Sequence, residues 1–264
     1  MKRIIFSIYG DNVNNVGESV TDYKSNNFRA YKDQLVKCKQ VYANKCKADF
    51  VLIDTSLNNF VDIQFEKIRL LEEFARSYDE VLYLDFDVIP NYSARSIFDS
   101  VDTSKLSMHP LNRPLNGIYL RGALLSDWLD SQSMYVKTCS KRSMLLLEGI
   151  NGNNLTYNTG VVLGNSEIIK QVNFTEQLDD MHELLEEACE DNLYPPEISR
   201  HFVPNNEVYI SYLIEKNNIP HHDLSMNWNF ILDDVKEYAT ASAELIHAVN
   251  KNFDMFKMLL DYNA

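Results

Sequence analysis

Residues 3 to 84 alternate between two hydrophobic periods, and this limits the chain to few architectures. "RIIFSIY" (3–9) and "ADFVLIDTS" (48–56) are short, almost continuous apolar runs, and "EVLYL" (80–84) is a third. Runs of that length and composition suit strands buried on both faces. Between them, "RAYKDQLVKCKQVYANKC" places Tyr31, Leu35, Cys38 and Tyr42 at helical spacing, and "VDIQFEKIRLLEEFARS" does so with Ile63, Ile68, Leu71 and Phe74. Strand, helix, strand, helix, strand is the order of a doubly wound α/β sheet, whose ligands bind beyond the carboxyl ends of the strands. The polar, aperiodic stretch "GDNVNNVGESVTDYKSNNF" (10–28) reads as a long loop, of which the segment Asp11 to Asn27 is expected to order over a bound ligand.

The later chain is less regular. It reads as a strand at "YNTGVVLGN" (157–165), an acidic amphipathic helix at "FTEQLDDMHELLEEACEDN", and a helix opened by Asn205 or Asn206 at "NNEVYISYLIEKNN". "AELIHAVN" reads as a strand carrying one histidine, and "FDMFKMLLDYN" as a terminal helix. No composition shift marks a linker, so one domain over 1–264 is expected, with 1–90 as a ligand-binding half and 91–264 completing it.

Asp and Glu outnumber Lys and Arg by 38 to 25, a net charge of −13, which argues against a broad nucleic-acid face or an anionic membrane surface. A small anionic substrate stays compatible if local cations or a metal offset the field. The four cysteines form no CxxC pair, and the apolar start is shorter than a signal-peptide core, so a cytoplasmic protein with reduced thiols is expected. No stretch reaches the roughly 20 apolar residues of a membrane span.

The third strand ends on "LDFDVIP". Side chains two apart on a strand share a face, so Asp85 and Asp87 can converge on one ion while Phe86 points away. Two hard oxygen ligands suit Mg2+ or Mn2+. The alternative for the pair is a solvated strand end before a proline turn. With 21 Asp in the chain the tripeptide alone means little, and its position carries the weight.

With that position the chain resembles the metal-dependent nucleotide-sugar glycosyltransferases of the GT-A (Rossmann-like) fold. In motif order it is most similar to the glycogenin and lipopolysaccharide-galactosyltransferase group. The resemblance implies that the end of "IIFSIYG", with Ser7, Tyr9 and Gly10, holds the nucleotide base, and that Asp85 and Asp87 form the metal motif. It further implies that Asn158 of "YNTGVVLGN" faces the donor sugar or acceptor, and that Glu207 of "NNEVYISYLI" lies beside the acceptor. "LSMNWNF" resembles that group's Trp-Asn segment, and His247 of "LIHAVNKN" stands in the place of a late histidine completing the metal site. The Gly and Lys-Pro-Trp that follow that histidine in the group are absent, leaving Lys251 as the candidate phosphate ligand.

Each residue also has a plainer reading. His247, flanked by Leu245, Ile246, Ala248 and Val249, suits a hydrogen-bonded core histidine. Glu207 suits a first-turn acid favoured by the helix dipole, and Trp228 suits either core packing or a sugar platform. His221 and His222 show no ligand spacing, and the acidic run 176–191 suits a solvated helix face.

The resemblance implies a hexosyl- or pentosyltransferase, taking a UDP-sugar donor and a glycan or glycoconjugate acceptor with Mn2+ or Mg2+ as cofactor. A haloacid-dehalogenase-type phosphatase with Asp85 as nucleophile is a rival, although that motif belongs on a first strand. A catalytically silent carbohydrate- or nucleotide-binding protein on the same fold is another.

Overall fold

The computed structural model describes residues 1–10, 22–54, 60–111, 134–232, 242–249 and 251–262. The first part of the chain runs β1 (Arg3–Tyr9), α1 (Asp22–Cys46), β2 (Asp49–Asp54), α2 (Phe60–Phe74), β3 (Glu80–Leu84), β4 (Val88–Pro90), α3 (Ile97–Ser100) and β5 (Leu106–Pro110). There follow α4 (Met134–Leu147), β6 (Tyr157–Asn165), α5 (Ser166–Val172), α6 (Leu178–Glu190), α7 (Pro196–Ser199) and α8 (Asn206–Lys216). The last elements are β7 (His221–Asp223), β8 (Phe230–Ile231), β9 (Leu245–His247) and α9 (Lys257–Tyr262). Among the described residues, no helix is long and apolar enough to cross a membrane.

Backbone contacts gather the chain into two compact units: Met1–His109 with Thr159–Lys170 and His221–Ala264, and Pro110–Asn158 with Gln171–Pro220. In the first unit a six-stranded sheet has the order β2-β1-β3-β6-β5-β7. β1 is parallel to both β2 and β3, β3 is antiparallel to β6, and β5 is parallel to β7. Ile5, Leu82, Leu84, Val161 and Leu163 form a core with Tyr42 and Cys46 of α1. Phe6 packs 4.9 Å from Phe74 of α2 and 5.0 Å from Tyr83. Alternate residues of the same strands thus feed two cores, which explains the continuous apolar runs; each such side chain contributes about 1.5–3 kcal/mol on burial.

Local chemistry sets the element ends. α1 stops where Lys47 turns to φ +54° and the Ala48 amide donates to the Ala43 carbonyl. The helix begins at Asp22, so residues 22–28 are helical rather than part of the expected loop; the rest of that loop, 11–21, lies outside the described residues. The Asn165 side chain caps the next helix by accepting from the Ile168 amide at 2.9 Å. Gly164 lets that helix approach, since a Cβ there would meet Ile168 Cγ2 at 2.8 Å.

After Leu84 the chain leaves the large sheet. Asp85 keeps one backbone bond to β6, its amide donating to the Gly160 carbonyl, and a turn closed by Val88 N–H to Asp85 O at 2.9 Å redirects it. It then joins a three-stranded sheet ordered β4-β9-β8, in which Val88 lies opposite His247. The two aspartates therefore sit in the turn, not on the strand as expected, and β9 runs beside β4.

In the second unit α4 packs against α6, α7 and α8. α8 is opened by Asn205, whose side-chain oxygen accepts from the Glu207 amide at 2.8 Å and the Val208 amide at 3.4 Å. Helix α6 buries Met181, Leu185 and Ala188 and turns its acids outward.

Candidate functional site

The turn between β3 and β4 gathers a charged cluster in the first unit. Tyr83 and Asp85 are two apart and share a side. The Tyr83 hydroxyl donates to Asp85 Oδ1 at 2.6 Å, and burial, reinforced by that carboxylate, pushes the phenol pKa well up. From α2, the buried Lys67 ammonium lies over the Tyr83 ring, 4.8 Å from its centroid. It reaches Asp85 Oδ1 at 3.2 Å, Thr159 O at 3.3 Å and Thr159 Oγ1 at 3.1 Å.

Asp87 is nearly fully buried, and Lys251 donates to its Oδ2. Burial alone would raise its pKa, but the Lys251 ammonium and the His247 ring outweigh that and hold the carboxyl well below the usual range. The β9 end is fastened to the motif where the Ala248 amide donates to the Asp87 carbonyl at 3.0 Å. Beneath the turn, the buried Lys39 of α1 donates to the Phe86 carbonyl at 2.8 Å, and burial lowers its pKa.

His247 completes the cluster. Its Nδ1 donates to Asn229 Oδ1 at 3.1 Å, which leaves Nε2 directed at the carboxylates, 3.4 Å from Asp87 Oδ1 and 3.7 Å from Asp85 Oδ2. Asp85, Asp87 and His247 each offer one ligand atom, and these atoms lie within 4.8 Å of one another. Two carboxylate oxygens and an imidazole nitrogen that face one another attract a cation; the donor set fits a divalent ion of the Mn2+ or Mg2+ class.

The second unit holds another buried cluster. Glu207, in the first turn of α8, accepts from Lys137 Nζ of α4 at 2.6 Å on Oε2 and from Asn158 Nδ2 at 2.8 Å on Oε1. One turn along α8, the Ser211 hydroxyl donates to the Glu207 carbonyl and accepts from the Tyr157 amide. Asn158 and Glu207 are thus in direct contact, with both carboxylate oxygens engaged.

A model of glycosyl transferase family 8 matches residues 12–195. This chain belongs to that family. Solved structures with a similar backbone include the glycosyltransferase involved in glycosylation of the major capsid of PBCV-1. It is 13% identical, with 99% of this chain and 100% of that one covered and a TM-score of 0.49. They also include the galactosyltransferase LgtC with donor and acceptor sugar analogs, at 11% identity, 98% and 95% coverage and a TM-score of 0.49. Mouse xyloside xylosyltransferase 1 is 10% identical, with 94% and 98% coverage and a TM-score of 0.45. No curated protein sequence matches the chain.

Family 8 membership makes the protein a glycosyltransferase that uses a nucleotide sugar, and it displaces the phosphatase reading of Asp85. Other residues singled out in the sequence fall as follows. The buried Ser7 hydroxyl donates to the Leu84 carbonyl at 2.6 Å, tying β1 to the end of β3. Tyr9 packs 4.9 Å from Phe86 with the Lys32 ammonium 3.9 Å from its ring centroid, and Gly10 follows at the carboxyl end of the strand. Trp228 is buried among core side chains with Arg95 over its ring, which favours the packing reading. His221 and His222 are exposed on the edge strand β7.

Sequence reasoning missed Lys67, Lys39, Tyr83, Asn229 and Lys137. For two of them a signal existed. Lys67 lies four residues from both Ile63 and Leu71, and Lys39 lies four after Leu35 and three before Tyr42, so both interrupt apolar stripes. A lysine on a buried helix face needs a partner.

Proposed function

We propose that this family 8 enzyme transfers a hexosyl or pentosyl group from a UDP-sugar to a hydroxyl of a glycan or glycoconjugate, with Mn2+ or Mg2+ held by Asp85, Asp87 and His247. The observation that carries this reading is the convergence of those three ligand atoms within 4.8 Å of one another, with the His247 tautomer set by Asn229. A bound divalent ion supplies Lewis-acid neutralisation of the diphosphate leaving group. The imidazole ligand favours Mn2+ over Mg2+, because it is softer than oxygen.

The protein's own residues supply the rest. Lys67, Lys39 and Lys251 surround two carboxylates, so the local field is positive enough for a diphosphate despite the overall charge. Lys251 contacts the phosphates, and the carboxyl end of β1, at Tyr9 and Gly10, holds the base, while Ser7, fully buried with its hydroxyl on the Leu84 carbonyl, braces that strand end rather than touching the nucleotide as expected. Asp85 keeps its second oxygen for the metal while Tyr83 and Lys67 fix the first. Asn158 and Glu207 serve the acceptor side. Glu207 orients rather than abstracts a proton, since Lys137 and Asn158 occupy its two oxygens.

A thermal-shift screen of UDP- and GDP-sugars with and without Mn2+ tests the proposal. One UDP-sugar with Mn2+ should raise Tm by mass action and be turned over. Stabilisation without turnover of any glycan acceptor would favour the silent binding protein, and no nucleotide effect at all would refute the reading.

A further inference from the structure

We propose that Lys251 is an exchangeable counter-cation: its ammonium occupies Asp87 until a divalent ion takes that carboxylate, and it then transfers to the donor diphosphate. This deepens the metal-site reading above and rests on it. The two carboxylates are neutralised in unlike ways. The cation beside Asp85 is fixed: the Lys67 side chain is 6% exposed and its ammonium is tied to Asp85 and to two oxygens of Thr159. The cation beside Asp87 is not. The Lys251 side chain is 20% exposed while its partner carboxylate is 4% exposed, so this side chain reaches water where Asp87 does not.

The backbone restricts this motion to the side chain. Lys251 sits at φ +58°, a left-handed conformation that a non-glycine residue adopts only where its surroundings impose it. Its amide donates to the Ala248 carbonyl at 2.8 Å, and its carbonyl accepts from Phe253 N at 3.0 Å and from the Asn27 side chain of α1 at 3.0 Å. With the main chain held on both sides, the four-carbon stem is the part free to swing. The ring of Phe28, whose centroid is 5.3 Å from the ammonium, lines its present position beside Asp87.

A divalent ion bound by Asp85, Asp87 and His247 would repel both neighbouring ammoniums, Lys67 on Asp85 and Lys251 on Asp87. Lys67 is tied to Thr159 and stays, so Lys251 is the one that would yield. A diphosphate on the ion offers the displaced ammonium a new partner. Metal and nucleotide should consequently assist each other, and by linkage the assistance is equal in both directions.

Mn2+ binding, followed by calorimetry and by electron paramagnetic resonance of the free ion, tests this without reference to turnover. In Lys251→Met, Mn2+ alone should bind about tenfold more tightly than in wild type, while UDP should bind about tenfold more weakly at saturating Mn2+. Lys251→Gln, which keeps reach and polarity without charge, should change both affinities in the same directions and guards against a folding defect in the first variant. Unchanged or weaker Mn2+ binding in both variants, at a site still lost in Asp87→Asn, would overturn the exchange and leave the metal site standing. Mn2+ binding indifferent to Asp87→Asn would instead overturn the metal-site reading itself.

Discussion

The Lys137–Glu207 pair in the second unit gives a prediction with a definite size. Its atoms are 2.6 Å apart and both side chains are 10% exposed. At an effective dielectric of about 20 the Coulomb attraction is about 6 kcal/mol, but burying both ions costs several kcal/mol each, so the pair as a whole contributes little net stability. Breaking it is another matter, because one charge is left buried alone. Glu207→Gln should destabilise by about 2–3 kcal/mol, since the neutral amide still accepts from Lys137, and Lys137→Met by about 3 kcal/mol. The double variant, which removes both charges, should cost only about 2 kcal/mol, for a coupling near 3 kcal/mol. Urea unfolding of the four proteins at pH 7 measures the cycle. The double variant should regain stability without regaining transfer, since Asn158 has lost its carboxylate partner. Additivity of the single losses within about 0.5 kcal/mol would refute the argument.

Gly164→Ala forces a methyl to within 2.8 Å of Ile168 Cγ2 and 3.2 Å of Ile169 Cγ1, both on buried residues, and should cost about 1–3 kcal/mol in a urea melt. Asn229→Ala removes the acceptor that fixes the His247 tautomer; Mn2+ affinity measured by calorimetry should fall about tenfold to a hundredfold. Burial pushes the Cys38, Cys46 and Cys139 thiols up, so at pH 8 they should react with a disulfide reagent only as fast as the protein opens. Rapid modification of all three in the native protein would contradict the packing of α1 and α4.

Much of the sheet was legible because β1, β2 and β3 are long enough to show a period and lie between helices with clear stripes. The position of the acidic motif was legible for the same reason. The turn that carries it was not: β4 and β9 have three residues each, too few for any pattern, and their pairing unites segments more than 150 positions apart. So the chain's passage into a second sheet, which aims His247 at both aspartates, could not be read from local sequence. The cations were missed because a lysine in a helix is ordinarily solvated. Lys67 and Lys39 do interrupt apolar stripes, and the fold shows them facing inward. Lys67 on Asp85 and Lys251 on Asp87 give each carboxylate a cation, so removing one carboxylate charge leaves its lysine without a counter-ion.

The central claim, that Asp85, Asp87 and His247 form one divalent-metal site serving a nucleotide-sugar donor, is most directly tested by titrating Mn2+ in the presence of UDP. Wild type should bind one ion; Asp85→Asn and Asp87→Asn should lose it while keeping their folded circular-dichroism spectra, and His247→Ala should weaken it with a smaller preference for Mn2+ over Mg2+. One ion bound with unchanged affinity in Asp87→Asn, or a His247→Ala variant that only melts earlier with its metal preference intact, would contradict the account.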